Sequence, residues 1–420
     1  MKLKKLTALV LSACMVVGTT ACSSSSKTEV KETAAAETVM EAATAEKTED
    51  TAEKTTEAAS TEVADIQEET VRNSNVTINP DGTRTLIDQV GNEVTLPAEI
   101  ERVAIASVWP LASVYILTLG SDKLVGLDPA IVSAAENSIL IKIAPEISEI
   151  ETGFSQGGYM NTEELIKLDP DVVLYSSGVM DDYDVATQAG IPAVGFSLSV
   201  RDFNAVETIN TWIELLEDVM GEDLSSAEYV AYGNEIQELV ADRLKDVKEE
   251  DKPISMFIHK YSDNTVSVPG TGTWADYWIT ASGGINVASE LSGTKETDIE
   301  QVYQWDPEKI FITNFNEALP EDLYNNTLCS ADWSQVAAVK NEDVNKLPLG
   351  MYRWYVTCSD SPMMLLWMAK QNHPALFEDI DFNQTMKDFY QEFYEYELSD
   401  EDLAEIFESE REAAGGIKKN

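Results

Sequence analysis

The strongest constraint on the fold is a stretch that occurs twice, 137 residues apart. Residues 161–174 align without a gap with residues 298–311: Glu163 with Glu300, Leu165 with Val302, Leu168 with Trp305, Asp169 and Pro170 with Asp306 and Pro307, Val173 and Leu174 with Ile310 and Phe311. Each copy opens on an Asn or Asp suited to an N-cap and continues as a short amphipathic helix. A Pro then stops the helix, and an apolar run of strand length follows. A helix leading into a covered strand, repeated at domain spacing, implies two similar α/β lobes; a solenoid would repeat at a shorter period.

Further short apolar runs at 102–106, 193–196 and 254–258 suit parallel strands buried on both faces. Helices are expected to begin near Leu111, Phe203 and Asp276. From Ser225 to about Lys248, residues Tyr229, Tyr232, Ile236, Leu239, Val240 and Leu244 recur at helical spacing, with no flexible linker between the lobes. The expected organisation is an N-terminal α/β lobe at 73–224, one long bridging helix at 225–250 and a C-terminal α/β lobe at 251–420. A helical bridge favours a small hinge motion over a wide closure.

Before this body lie two segments of different character. Lys2, Lys4 and Lys5 precede an apolar run from Leu6 to Val17, too short to span a bilayer, then small residues up to Cys22. Residues 19–23, Thr-Thr-Ala-Cys-Ser, resemble a bacterial lipobox, which implies a lipoprotein signal peptide at 1–22 and acylation of Cys22; an ordinary secretory signal cut near Ala21 is the alternative. Residues 23–72 hold Ser, Thr, Ala, Glu and Lys, no aromatic residue, and five basic against thirteen acidic residues. Such a stretch buries too little apolar surface to offset ordering entropy, so a disordered tether is expected there. No bilayer-spanning helix is expected, only a lipid anchor on the outer face of the cytoplasmic membrane.

Composition narrows the function. With 29 Lys and Arg against 75 Asp and Glu, a formal charge of −46, the chain has no cationic surplus to displace counterions from nucleic acid. Two His exclude a three-imidazole zinc site, and four Cys exclude a disulfide-dense scaffold. Gly153, Ser155 and Gly157 satisfy G-x-S-x-G, the pattern of a secreted hydrolase, but no buried strand enters the Ser and no helix leaves it directly, as a nucleophile elbow requires.

The ordered set of residues 85–97, 101–106, 120–126, 161–174, 281–286, 299–312, 333–340 and 361–377 resembles the iron-siderophore, cobalamin and heme substrate-binding proteins of ABC importers, over about residues 76–400. The resemblance implies two Rossmann-like lobes joined by one bridging helix, the class III substrate-binding fold, with the ligand in the interlobe cleft. It implies a monomer that performs no bond chemistry and needs no cofactor, with an ABC permease as partner. A ferric siderophore is the first ligand expected, with a corrinoid or heme as alternatives; the acidic body weakly favours a neutral corrinoid at long range. Family members often carry a Glu in the first helix of each lobe to meet the permease; here Val114 stands at the first-lobe position.

Loops after the strands bring candidate ligand residues to the cleft: Trp109, Ser177 and Arg201 from the first lobe, His259, Tyr261, Trp274, Arg353, Trp354 and Tyr355 from the second. Aromatic rings suit a large flat or greasy ligand, and the planar guanidinium fork suits carboxylate or catecholate oxygens. Arg353 leads this set, the alternative being a surface ion pair. Trp109 and Trp274 are ligand-facing or packing residues, and Arg201 either meets ligand or only begins the next helix. His259 either meets an anionic chelate or heme iron, or is structural, as is expected of His373. Cys329 and Cys358 are the cysteines of the body, and whether they pair is open at this point.

Overall fold

The computed structural model describes residues 76–156 and 158–414. The signal segment, Cys22 and the tether lie outside the described residues. Among the described residues no helix is long and apolar enough to cross a membrane.

The chain enters through a three-stranded antiparallel ribbon, Thr77–Ile78, Arg84–Ile87 and Glu93–Leu96. Arg84 pins this ribbon to the first lobe by donating to the carbonyls of Ala98 and Val219, both at 2.7 Å. The first lobe is a parallel sheet ordered Leu124–Leu127, Val103–Ile105, Val172–Ser176, Ala193–Phe196. The second is a parallel sheet ordered Ile285–Asn286, Ile254–Ile258, Lys309–Ile312, Val344–Lys346. In both sheets the second strand along the chain lies outside the first, so the two lobes share one topology.

The sequence repeat occupies equivalent places in that topology. Asn161 caps the Thr162–Leu168 helix through the amides of Glu163 and Glu164, and Asp298 caps Ile299–Trp305 through that of Gln301. Each helix ends one residue before the Pro, on an Asp in left-handed conformation, Asp169 (φ 52°) and Asp306 (φ 41°). The Pro therefore follows the stop and does not cause it, as is usual beyond a left-handed C-cap. The strands that follow, Val172–Ser176 and Lys309–Ile312, take the same position in their sheets.

The bridging helix runs Ala227–Leu244, 18 residues, about 27 Å of rise. It packs between Ser361–Asn372 and the Ala205–Met220 helix, so that a Cβ at Gly233 would stand 3.5 Å from Pro362 Cγ of the first and 2.9 Å from Val206 Cγ1 of the second. The apolar core is continuous across the lobes: one cluster joins Ile105, Leu174 and Trp212 to Phe257, Trp274, Phe311 and Tyr355. Tyr229 on the bridge donates to the Ser359 carbonyl at 2.7 Å, and its ring meets Phe393 of the Phe382–Tyr394 helix at 5.4 Å. Lys142 of the first lobe bonds Asp402 and Glu405 of the Asp400–Phe407 helix. The C-terminal helices thus brace the bridge and touch the first lobe, which suits a nearly fixed interlobe angle. Cys329 and Cys358 are both buried free thiols and do not pair. The first helix, Leu111–Leu119, carries no acidic residue, and Val114 is fully buried in it.

Candidate functional site

In an open parallel sheet, the loops leaving the first and third strands diverge where the strand order reverses, and ligands bind in that crevice. Here the crevices open after Ile105 and Ser176 in the first lobe, and after Ile258 and Ile312 in the second. The residues that follow are Ser107 and Ser177 on one wall, His259, Thr313 and Asn314 on the other.

The first-lobe wall is polar and acidic. The Ser107 hydroxyl accepts from the Ser176 amide at 3.0 Å and donates to Asp182, which also takes the Ser107 amide. Asp128 caps the Pro129–Glu136 helix through Ala130 N at 2.8 Å and receives the Ser155 hydroxyl at 2.5 Å. Both carboxyls are almost wholly buried. Burial raises Asp128 and pushes Asp182 up to about 7, with the neighbouring Asp128 charge adding to the shift. Among the described residues Asp182 Oδ2 and the half-buried Trp109's Nε1 have no hydrogen-bond partner.

The second-lobe wall is aromatic around one cation. The His259 ring lies 4.9 Å from Tyr355 and 5.3 Å from Phe315, centroid to centroid. Burial, with Lys260 beside it, lowers His259 to about 3, so it is neutral at physiological pH, and its Nδ1 lacks a partner among the described residues. The Arg353 guanidinium lies 5.3 Å over Phe315 and 5.5 Å over Tyr352, while its Nε donates to Asn314 O at 3.0 Å. Arg353 is 1% exposed, which removes the surface ion-pair alternative. Its loop partner is held from behind: the Lys346 ammonium donates to the carbonyls of Thr313, Asn316 and Ala318 at 3.0, 2.8 and 3.0 Å. The charge of Asp128 also acts on Tyr352, which puts the first-lobe carboxyl within electrostatic range of the second-lobe aromatic cluster.

Of the candidates read from the sequence, His259, Arg353 and Tyr355 come together around Phe315. Trp109 and Ser177 are half-buried on the first-lobe wall, and Tyr261 is half-buried on a small antiparallel sheet at the side. Arg201 is exposed at the rim, in a left-handed run of Arg201 (φ 61°), Asp202 (φ 51°) and Phe203 (φ 65°). Such a run costs roughly 1–2 kcal/mol per residue and persists only where its surroundings enforce it. Here Phe203 meets Trp274 edge-on at 5.2 Å, so Trp274, 3% exposed, serves contact between the lobes. Trp354 turns into the core, where its Nε1 donates to Asp360 at 3.0 Å. Phe315, Asp128, Asp182 and Lys346 were not on the sequence-derived set. Asp128 had a usable signal, an N-cap Asp before Pro directly after a strand. Asp182 had none, because it reads as a solvated first-turn acid beside Asp181.

Ser155 lies in a two-residue strand paired with Tyr159–Met160, and its hydroxyl is engaged by Asp128. His373 bonds the Gly283 carbonyl at 2.9 Å. There is no strand-to-helix elbow at Ser155 and no Ser–His pairing among the described residues.

Two lobes of one topology, a single helical bridge and a cleft of recognition groups without a nucleophile–base pair define a class III substrate-binding protein. The chain belongs to the periplasmic binding protein family, whose sequence model matches residues 111–349. It is 23% identical over 333 residues to the molybdate-binding protein MolA of Haemophilus influenzae, covering 74% of this chain and 91% of that one. A periplasmic solute binding protein from Veillonella parvula superposes with a TM-score of 0.69 at 27% identity, over 78% of this chain and 97% of that one. Helicobacter pylori CeuE, solved as a nickel–histidine complex, superposes with a TM-score of 0.61 at 22% identity, over 76% and 98% of the two chains. The chain is thus a periplasmic binding protein, of a family that binds solutes and does not transform them.

Proposed function

We propose that this chain, acylated at Cys22 and held off the membrane by residues 23–72, captures a ferric siderophore or a similar iron complex and passes it to an ABC permease. The observation that supports the ligand class is the pair of group types at the strand ends: buried Asp128 and Asp182 in the first lobe, Arg353 with the Phe315, Tyr352 and Tyr355 rings in the second. A ligand that fits both must offer anionic oxygens to Arg353 and hydrogen-bond donors to the carboxyls. A siderophore complex bears both on one surface, together with apolar area for the rings. Among the described residues no three His, Cys, Asp or Glu side chains cluster as a metal shell would need, so the metal enters already chelated.

A bare oxyanion is the second reading, since MolA is named for molybdate. Such an ion offers acceptors only, and the carboxyl wall repels it. Corrinoid and heme share the aromatic requirement and are the remaining alternatives. Equilibrium dialysis of residues 23–420 against ferric catecholate and hydroxamate siderophores, cyanocobalamin, hemin and molybdate tests the reading. Sub-micromolar binding of a ferric siderophore is expected; retention of molybdate alone overturns it. Fractionation tests the anchor: the full chain is expected with the membrane and Cys22→Ala free of it.

A further inference from the structure

We propose that the C-terminal tail, Arg411–Ala414, is a built-in occupant of the cleft arginine, so that a ligand acceptor reaching Arg353 has to displace it. The inference rests on the reading of Arg353 as a ligand-facing group. Arg353 Nε is shared between two carbonyls, Asn314 O at 3.0 Å and Ala413 O at 3.3 Å. The Asn314 bond comes from the loop that Lys346 clamps and stays with the second lobe. The Ala413 bond is longer and comes from a segment 60 residues further along the chain. In a shared N–H the longer arm is the weaker one and the one an incoming oxygen replaces.

The tail is seated there by Arg411. Its guanidinium makes a bidentate pair with Asp322 at 2.8 and 2.9 Å and donates to the Glu317 carbonyl at 2.8 Å. Ala413 and Ala414 are each 4% exposed, although they stand at the end of the described chain. Arg411 holds the Glu317 carbonyl while Lys346 holds those of Asn316 and Ala318 on either side, so the tail lies against the loop that also meets Arg353. The anchoring pair is partly in water, with the Arg411 side chain 45% exposed, which makes it a weak tie of the kind a displaceable segment needs.

Arginine labelling tests this without any ligand. Residues 23–420, the same chain ended after Glu410 and the uncut Arg411→Ala variant are treated with phenylglyoxal. Labelling at Arg353 is then measured by peptide mass spectrometry against exposed Arg201. Arg353 labelling is expected to rise several-fold in both altered chains; an unchanged ratio in both overturns the occupant. If the shortened chain fails to fold, Arg411→Ala carries the test alone. Affinity for a ferric siderophore is expected to rise in parallel. Raised labelling with unchanged affinity would overturn the competition and the ligand role of Arg353, while showing that the tail does cover it.

Discussion

Replacing Asp182 by Asn should make the protein more stable, by an amount that depends on pH. The Asp182 side chain is 2% exposed, its Oδ2 has no partner among the described residues, and burial holds its pKa at about 7 against an ordinary 3.8. A carboxyl whose folded pKa lies above its unfolded one binds more protons when folded. It therefore destabilises the fold increasingly as pH rises from about 4 to about 7, with a constant penalty above that. At about 1.36 kcal/mol for each pH unit between those two pKa values, the plateau is about 4 kcal/mol, of which about 2.6 kcal/mol accrues between pH 5 and pH 8. Asn keeps the oxygen that accepts from Ser107 and removes the charge. Urea unfolding of both chains at pH 5 and pH 8 reads the effect, and the difference between chains cancels the general repulsion of an acidic body. Asp182→Asn should gain over the parent by about 2–3 kcal/mol more at pH 8 than at pH 5. An equal difference at both pH values would refute the claim that Asp182 is buried as a costly anion. The stored cost also bears on binding, since a ligand donor on Oδ2 would lower it.

Other outcomes follow from single contacts. Gly350→Ala places a Cβ 1.9 Å from Asp360 Oδ2 and 2.7 Å from Trp354 Nε1, in the middle of a fully buried carboxyl with donors from Met351, Trp354 and Tyr390. A loss of about 3 kcal/mol or more in urea unfolding is expected. Lys346→Met removes three donors to buried carbonyls and should cost about 2–4 kcal/mol, with faster amide exchange across residues 313–318. In residues 73–420 without reductant, Ellman's reagent should find two thiols after unfolding and react slowly with both before it, since Cys329 and Cys358 are free and buried; no thiol after unfolding would mean that they pair.

The fold was legible where its signals are local. Caps, the left-handed Asp169 and Asp306, and the apolar strands that follow lie within a few residues of one another, so both copies of the unit could be read directly. Loops after the strands could be placed because parallel strands end where apolar runs end, and three residues read from them, His259, Arg353 and Tyr355, gather around Phe315. Orientation within a loop could not: Trp354 sits between two cleft residues and points the other way, to Asp360. Long-range pairings were equally out of reach. Asp128 meets Ser155 27 residues on, Arg353 meets Ala413 60 residues on, and Phe203, at the end of the left-handed run, packs on Trp274 of the other lobe. The separation of Cys329 and Cys358 likewise depends on tertiary packing alone.

The central claim is that ligand enters the interlobe cleft and meets Arg353. Its most direct test is a tryptophan-fluorescence titration of residues 73–420 and of Arg353→Ala with the ferric siderophore retained in dialysis, corrected for ligand absorbance. Saturable quenching of the parent and a roughly 10–100-fold weaker affinity in the variant are predicted, the loss of about 1.5–3 kcal/mol that removal of a charged hydrogen bond brings. Equal affinity in the two chains would contradict the account.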